Sequence, residues 1–410
     1  MHGTQHVASS GADPEIAATT DSDVVALKGR SPRLLSIDVL RGLTIAFMIL
    51  VNNQWEQQAF ASLKHAAWNG FTPTDLVFPT FLFLVGLSLV LSTTARLSRG
   101  VAPGTLLLHM LRRAAVLCLF GLVVNTFPFQ HLDSVRFYGV LQRIGICYFA
   151  AGILCIYAPG WKSKAYVALA CLIGYWVLLR YVPVPGYGVP TQSVVINHPD
   201  GNLTAYMDRM LFAPQHLYQR VRDPEGLLST LPSIATALLG VLAGMWLRST
   251  RTTAQKAGAL VAAGVGMVLT GRLWDVWFPI NKKLWTSSFV LFAGGWSVLL
   301  LGLAVFLVDW KQLGIRDVSR ADAPERATVY SPLLVFGTNS IAAYMISELL
   351  PAVLAMVHTP SGNLPRSYLS LLRSVLPGYG MASLAFGLSY VCLTWLLVYP
   401  LYRKRIFLRV

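Results

Sequence analysis

Ten stretches of this chain are apolar for about twenty residues each, the length a helix needs to cross a lipid bilayer. They run 34–53, 75–95, 105–127, 137–157, 165–182, 229–247, 257–274, 286–308, 332–351 and 381–402, each bounded by charge, proline or glycine. Backbone polar groups in hydrocarbon must be satisfied within the segment, so these are helices and not strands. The sequence therefore predicts an all-α fold, a polytopic membrane helix bundle of about ten transmembrane helices. Only 12% of the 410 residues are charged, where soluble domains carry about 25%.

The net charge of +15 does not point to nucleic acid, because most basic residues flank the spans, as membrane topology requires. With the N-terminus placed in the cytoplasm, 21 of the 33 Lys and Arg residues fall on the cytoplasmic side. The positive-inside rule then puts both termini there. Residues 1–33 are polar, without the apolar core of a signal peptide, and read as a disordered cytoplasmic tail. Residues 34–410 form the membrane domain, with outer loops at 183–228 and 352–380. The second loop holds an apolar stretch, Tyr368 to Leu376, too short to span and suited to lie along the interface. The five cysteines sit in apolar spans without metal or disulfide spacing. His131, His198, His216 and His358 have no metal-ligand spacing on a helix, so no metal is expected.

Polar residues at span boundaries are expensive and point to function. The densest group is Lys64-His-Ala-Ala-Trp-Asn-Gly-Phe-Thr-Pro-Thr-Asp-Leu-Val-Phe-Pro79, which the topology places outside. His65 is its reactive group. Asn52 and Asn53 end the first span, and either can orient the imidazole or donate to an oxyanion; the plain alternative is helix capping. Asp75 either N-caps the second span or fixes the His65 tautomer. Trp68 and Asn69 read as substrate contacts or as interfacial anchors.

Asp38 and Arg41 are spaced to pair on one helix face. Arg112 and Arg113, near the cytoplasmic end of the third span, suit phosphate by bidentate contact or simply follow the positive-inside rule. Arg143 lies a turn inside the fourth span and needs a buried partner. Glu348, near the outer end of the ninth span, is costly in lipid. Asn281 and Lys282, with Arg272, Asp275, Lys283, Trp285, Arg209, Arg220, Arg222 and Asp223, line an outer mouth or are solvated loop charges. Phosphate-binding glycine loops and nucleophile elbows are absent from the sequence.

Several stretches occur together and in order: Arg33-Leu-Leu-Ser-Ile-Asp-Val-Leu-Arg-Gly42, His65-Ala-Ala-Trp-Asn-Gly with Asp75-Leu-Val-Phe-Pro79, Gly139-Val-Leu-Gln-Arg-Ile-Gly145, Asp223-Pro-Glu-Gly226 with Leu239-Gly240 and Ala243-Gly244, Pro279-Ile-Asn-Lys-Lys-Leu-Trp285, and Asn339-Ser340. This set resembles the transmembrane acetyltransferases typified by heparan-alpha-glucosaminide N-acetyltransferase and their bacterial relatives. The resemblance implies transfer of an acetyl group from cytoplasmic acetyl-CoA, as co-substrate, to the amine of an extracytoplasmic glucosamine-type sugar or glycan. It implies His65 as the active-site histidine, acting as general base or acetyl carrier, and Asn52 as its helper. Arg41, Arg112, Arg113 and Arg143 are the expected contacts to the nucleotide; Trp68, Asn69, Asn281, Lys282 and Glu348 are those to the acceptor. A large extra domain and span of the lysosomal enzyme have no counterpart, so a sugar other than heparan is expected. The expected setting is a bacterial inner (plasma) membrane, with lipid around the bundle and a homodimer compatible with it. The competing readings are a secondary transporter of a sugar or anion, whose signature is broken helices in matching halves, and an O-acetyltransferase of an envelope glycan.

Overall fold

The computed structural model describes residues 34–130, 132–192, 195–315, 328–360 and 362–408. The tail expected at 1–33, His131 and most of the charged segment after Trp310 lie outside the described residues. Thirteen helices follow in order: α1 Leu35–Asn52, α2 Val77–Leu97, α3 Pro103–Thr126, α4 Val140–Tyr157, α5 Trp161–Tyr181, α6 Leu203–Leu211, α7 Thr230–Leu247, α8 Thr253–Trp274, α9 Ser287–Ala304, α10 Ser331–Thr338, α11 Ser340–Ala355, α12 Leu364–Val375 and α13 Tyr379–Arg403. Among the described residues, nine helices are long and apolar enough to cross a membrane, and one bent pair, α10 with α11, is apolar enough to make a tenth if the two count as one span. The protein is a polytopic helical membrane bundle. A two-residue hairpin, β1 His358–Thr359 with β2 Gly362–Asn363, precedes α12.

The ninth expected span, 332–351, is not one helix. Its halves α10 and α11 meet at 85°, with Asn339 at non-helical φ −121°, ψ 42°. Close packing on α1 fixes the break. A Cβ on Gly337 would stand 2.0 Å from the Asp38 carbonyl oxygen, and one on Gly42 2.0 Å from that of Leu333. Arg41 clamps the joint. It pairs with Asp38 (2.9 Å), donates to the Gly337 carbonyl (3.1 Å) and donates to Ser88 Oγ (2.6 Å). A cation at the C-terminal carbonyls of α10 satisfies groups a broken helix would leave orphaned.

A π-helical turn, Val305–Trp310, continues α9 and is tied to α1 at the end opposite His65, where Ser36 N donates to Asp309 (3.3 Å). Helices α2 and α7 cross in backbone contact at the centre of the bundle. A Cβ on Gly86 would meet the Ala237 carbonyl oxygen at 1.9 Å, and one on Gly240 that of Phe83 at 1.9 Å. Neither backbone can yield without separating the helices. Gly240→Ala is therefore expected to cost at least about 1–3 kcal/mol, seen as a lower melting temperature of the detergent-solubilised protein.

The long loop 183–228 is folded onto the bundle. Asn202 caps α6 by accepting from Ala205 N (2.9 Å). Val184, Ile196 and Leu203 join Tyr175, Leu179 and Phe278 in a second apolar core. Helix α12 falls where the short apolar stretch was expected. It buries Leu369 and exposes Leu371 and Val375 beside Arg366 and Arg373.

Candidate active site

His65 sits in the excursion between α1 and α2, and Asp75 organises that excursion. Asp75 stands in the 3-10 turn Pro73–Leu76 that leads into α2 and is 1% exposed. One carboxylate oxygen accepts from Ala66 N and Thr72 N, both at 3.1 Å. The other lies 2.8 Å from His65 Nδ1. Thr72 Oγ1 donates to the Lys64 carbonyl (2.7 Å), closing the loop. Asp75 does not N-cap α2, whose N-cap is Leu76 without a side-chain bond; it is the third residue of the turn capped at Thr72, where its carboxylate ties back to Thr72 N and also holds the histidine. A carboxylate accepts only, so it assigns the proton to Nδ1 and leaves the Nε2 lone pair for chemistry.

His65 opens into a cavity of ≈ 550 Å³. Its polar lining includes Asn52, Asp75, Lys282, Lys283, Glu348, Arg136 and Glu225; Met48, Phe78, Phe81, Ile144 and Trp285 are among its apolar residues. Asn52 Nδ2 donates to Glu348 Oε1 (3.3 Å), so α11 orients the side chain at the end of α1. Asn53 turns away, its Nδ2 donating to the Ile49 carbonyl (2.9 Å).

The segment 279–286 is a stapled loop. Asn281 N donates to Thr286 Oγ1 (3.0 Å), Leu284 N to Asn281 Oδ1 (2.9 Å) and Trp285 N to the Lys282 carbonyl (3.0 Å). These bonds hold Trp285 at φ +53°, an unusual conformation for a bulky residue. The strained backbone drives the indole under the cavity, edge-on to Phe78 and donating to Thr236 Oγ1 (3.1 Å). It also delivers Lys282, whose Nζ lies 3.0 Å from His65 Nδ1, 3.3 Å from Nε2 and 3.7 Å from Asp75. Burial holds Lys282 below its ordinary value of 10.5, against the pull of Asp75 and Glu225.

A family model for the catalytic region of heparan-alpha-glucosaminide N-acetyltransferase matches residues 33–278. The chain belongs to this family. The human heparan-alpha-glucosaminide N-acetyltransferase is 30% identical over 374 residues, 78% of this chain and 54% of the relative. The mouse enzyme of the same name is 30% identical over 372 residues with the same coverage. The chain thus spans about half the length of the curated relatives it matches. The family match takes in Asn52, His65 and Asp75 and ends just short of the stapled loop.

Other expected site residues of this N-acetyltransferase-family chain lie elsewhere. Trp68, Asn69 and Asn281 do not line the cavity; they lock loops around it. Asn69 Oδ1 accepts from Asn281 Nδ2 (3.0 Å) and Asn197 Nδ2 (3.1 Å), and Trp68 Nε1 donates to the Asn197 carbonyl (2.6 Å). Arg143 is buried beside the cavity, over the Trp285 ring at 5.2 Å, and donates to the Gly226 carbonyl and Ser229 Oγ. Arg112 and Arg113 lie nine and ten residues after Pro103, or ~14 Å along α3. Arg112 is exposed, and Arg113 stacks on Tyr148 at 4.9 Å. Arg41 is engaged at the helix break described above.

Sequence reading missed Arg136 and Glu225. Arg136 binds Asp223 through two nitrogens (2.8 and 2.5 Å) and also Glu225, and covers the Tyr218 ring at 4.7 Å. Burial opposes its charge, yet the Asp223 hydrogen bonds and the Glu225 charge raise it above the ordinary arginine value. The signal was available: the acidic pair in Asp223-Pro-Glu-Gly226 needed a buried cation.

Asp208 of α6 stands behind this cluster, accepting from Asp223 N (3.1 Å). Burial, with Asp223 adding to it, pushes its carboxyl from 3.8 up to about 7. Between those values the native state keeps a proton that the unfolded chain has lost. Stability therefore falls as pH rises from about 4 to about 7 and levels off above. Asp208→Asn is expected to flatten that fall, read as melting temperature from about pH 5 to about pH 8.

Proposed function

We propose that the protein is a membrane acetyltransferase that moves an acetyl group from cytoplasmic acetyl-CoA to the amine of an extracytoplasmic glucosamine-type sugar or glycan. The observation that carries this reading is the His65–Asp75 pair at 2.8 Å, opening into a cavity lined by both charged and apolar side chains in a chain of this family. The acceptor arrives as an ammonium and releases one proton to solvent before it attacks. His65 Nε2 takes the proton of the attacking amine, and Asp75 stabilises the imidazolium. The thioester carbonyl gains negative charge, and an Asn52 N–H stabilises it. The C–S bond breaks, CoA leaves as thiolate and recovers the proton from His65. Glu348 orients Asn52 and offers its carboxylate to the acceptor ammonium. The alternative, in which His65 carries the acetyl group, predicts an acetyl-His65 species trapped by rapid quench without acceptor.

The excess of basic residues opposite the His65 end supports entry of acetyl-CoA from the cytoplasm, with Arg112 and Arg113 as contacts to its phosphates. Residues 34–410 act as one acyltransferase domain in a bacterial plasma membrane. The 85° break between α10 and α11 is the one observation favouring a transporter. Purified protein in proteoliposomes with labelled acetyl-CoA separates the readings. Release of CoA that depends on added glucosamine supports acetyl transfer. Glucosamine flux without CoA release would establish the transporter, and transfer to hydroxyls alone would make it an O-acetyltransferase.

A further inference from the structure

An amine acceptor has one address in this cavity: within hydrogen-bond reach of His65 Nε2 and beside the Asp75 carboxylate. An amine of the protein already stands there. Lys282 Nζ lies at the ring edge between the two nitrogens, 3.0 Å from Nδ1 and 3.3 Å from Nε2, and 3.7 Å from Asp75 Oδ1; the staples of the 279–286 loop fix its backbone, and a turn of its flexible side chain brings Nζ onto the Nε2 lone pair. We propose that Lys282 is a self-acetylation site: when an acetyl thioester binds and no sugar is present, the Lys282 amine takes the acetyl group. This inference rests on the acetyltransferase reading above.

The neighbours set this lysine apart from the others. Lys283 Nζ donates to the Ala67 carbonyl at 2.7 Å, and Lys64 Nζ to the Gln57 carbonyl at 3.3 Å. Charged groups acting on Lys282 are Asp75, Glu225 and Lys283, with the His65 ring in contact. Burial outweighs the two carboxylates and lowers the lysine from its ordinary value, which enlarges the neutral, nucleophilic fraction.

The step balances. The ammonium releases one proton to solvent, which reaches the 21% of the side chain left exposed. The neutral Nζ attacks the thioester carbonyl carbon and passes its second proton to His65 Nε2. The C–S bond breaks, and CoA leaves as thiolate and takes that proton from the imidazolium. The product is an amide, which is neutral and does not reverse under these conditions. It fills the acceptor's address and removes a cation from the His65–Asp75 pair. The modified protein is therefore switched off until the acetyl group is removed.

The test uses the full-length chain in detergent with isotope-labelled acetyl-CoA and no sugar, followed by proteolysis and mass spectrometry. Label is expected on Lys282 in preference to Lys283 and Lys64, and suppressed when glucosamine is added to the same wild-type protein. His65→Gln should slow labelling about 100-fold. Lys282→Arg should abolish the burst of CoA release seen without acceptor. Transfer to glucosamine with Lys282 unlabelled overturns this inference and leaves the acetyltransferase reading standing. Equal label on all three lysines also overturns it, as solution acetylation. Neither transfer nor label overturns both.

Discussion

His65→Gln is expected to lower the rate of acetyl transfer at saturating acceptor by about 100- to 10,000-fold. Glutamine retains an N–H to donate to Asp75, so the loop between α1 and α2 keeps its main tie. What disappears is the lone pair at Nε2. The attacking amine then has no imidazole lone pair to take its proton as the new N–C bond forms, and the tetrahedral adduct reverts to reactants. The effect belongs in kcat rather than in acceptor binding, because Glu348, Asn52 and the cavity walls are untouched. Acetyl-CoA turnover measured with saturating glucosamine, alongside a thermal melt to show that the bundle is intact, checks it. Full activity in a folded His65→Gln protein would remove the histidine from the mechanism.

Asp75→Asn should cost activity between about 100-fold and 10,000-fold. Three donors converge on this carboxylate: Ala66 N, Thr72 N and His65 Nδ1. An asparagine has one oxygen and one NH₂, so a donor must face a donor. If the NH₂ faces His65, the ring is forced into the Nε2–H tautomer and has no lone pair toward the cavity. If it faces Ala66 and Thr72, the loop loses its anchor and the fold loses about 1–3 kcal/mol. The two outcomes differ in measurement. The first leaves the melting temperature near that of wild type and abolishes turnover; the second lowers both. An Asp75→Asn protein with unchanged turnover and unchanged melting would show that the carboxylate neither orients the histidine nor anchors the loop.

Much of the site was legible because membrane physics makes polar residues conspicuous. His65 and Glu348 stand out as costly groups at span boundaries, Asn52 and Asp75 as site residues or helix caps, and Lys282 as a mouth residue or a solvated charge; all five line one cavity. Arg136 and Glu225 were not singled out, because each sits in a loop where charge is ordinary. Their meaning arises only when loop 183–228 folds over the bundle and buries Asp223 against Arg136. Trp68, Asn69 and Asn281 show the converse. They lie beside site residues in the chain, yet their hydrogen bonds serve the loops. Sequence neighbours in a loop often face opposite ways, and hydropathy carries no direction for them.

The broken crossing was also invisible in the sequence. Residues 332–351 carry Asn339 and Glu348 but are otherwise mostly apolar, which satisfies the length rule for a span. The break depends on how closely α10 can approach α1 through Gly42 and Gly337, a property of two surfaces meeting. The sequence by itself determined that this chain crosses a membrane about ten times and that His65 stands at one boundary with polar company. Those conclusions follow from solvation, which is paid residue by residue and can be summed along a chain. Tertiary structure alone decided that Asn52 and not Asn53 faces the cavity, that one carboxylate serves both turn and histidine, and that Lys282 reaches the His65 ring. Each of these depends on a direction in space, and direction is set by packing among segments distant in sequence.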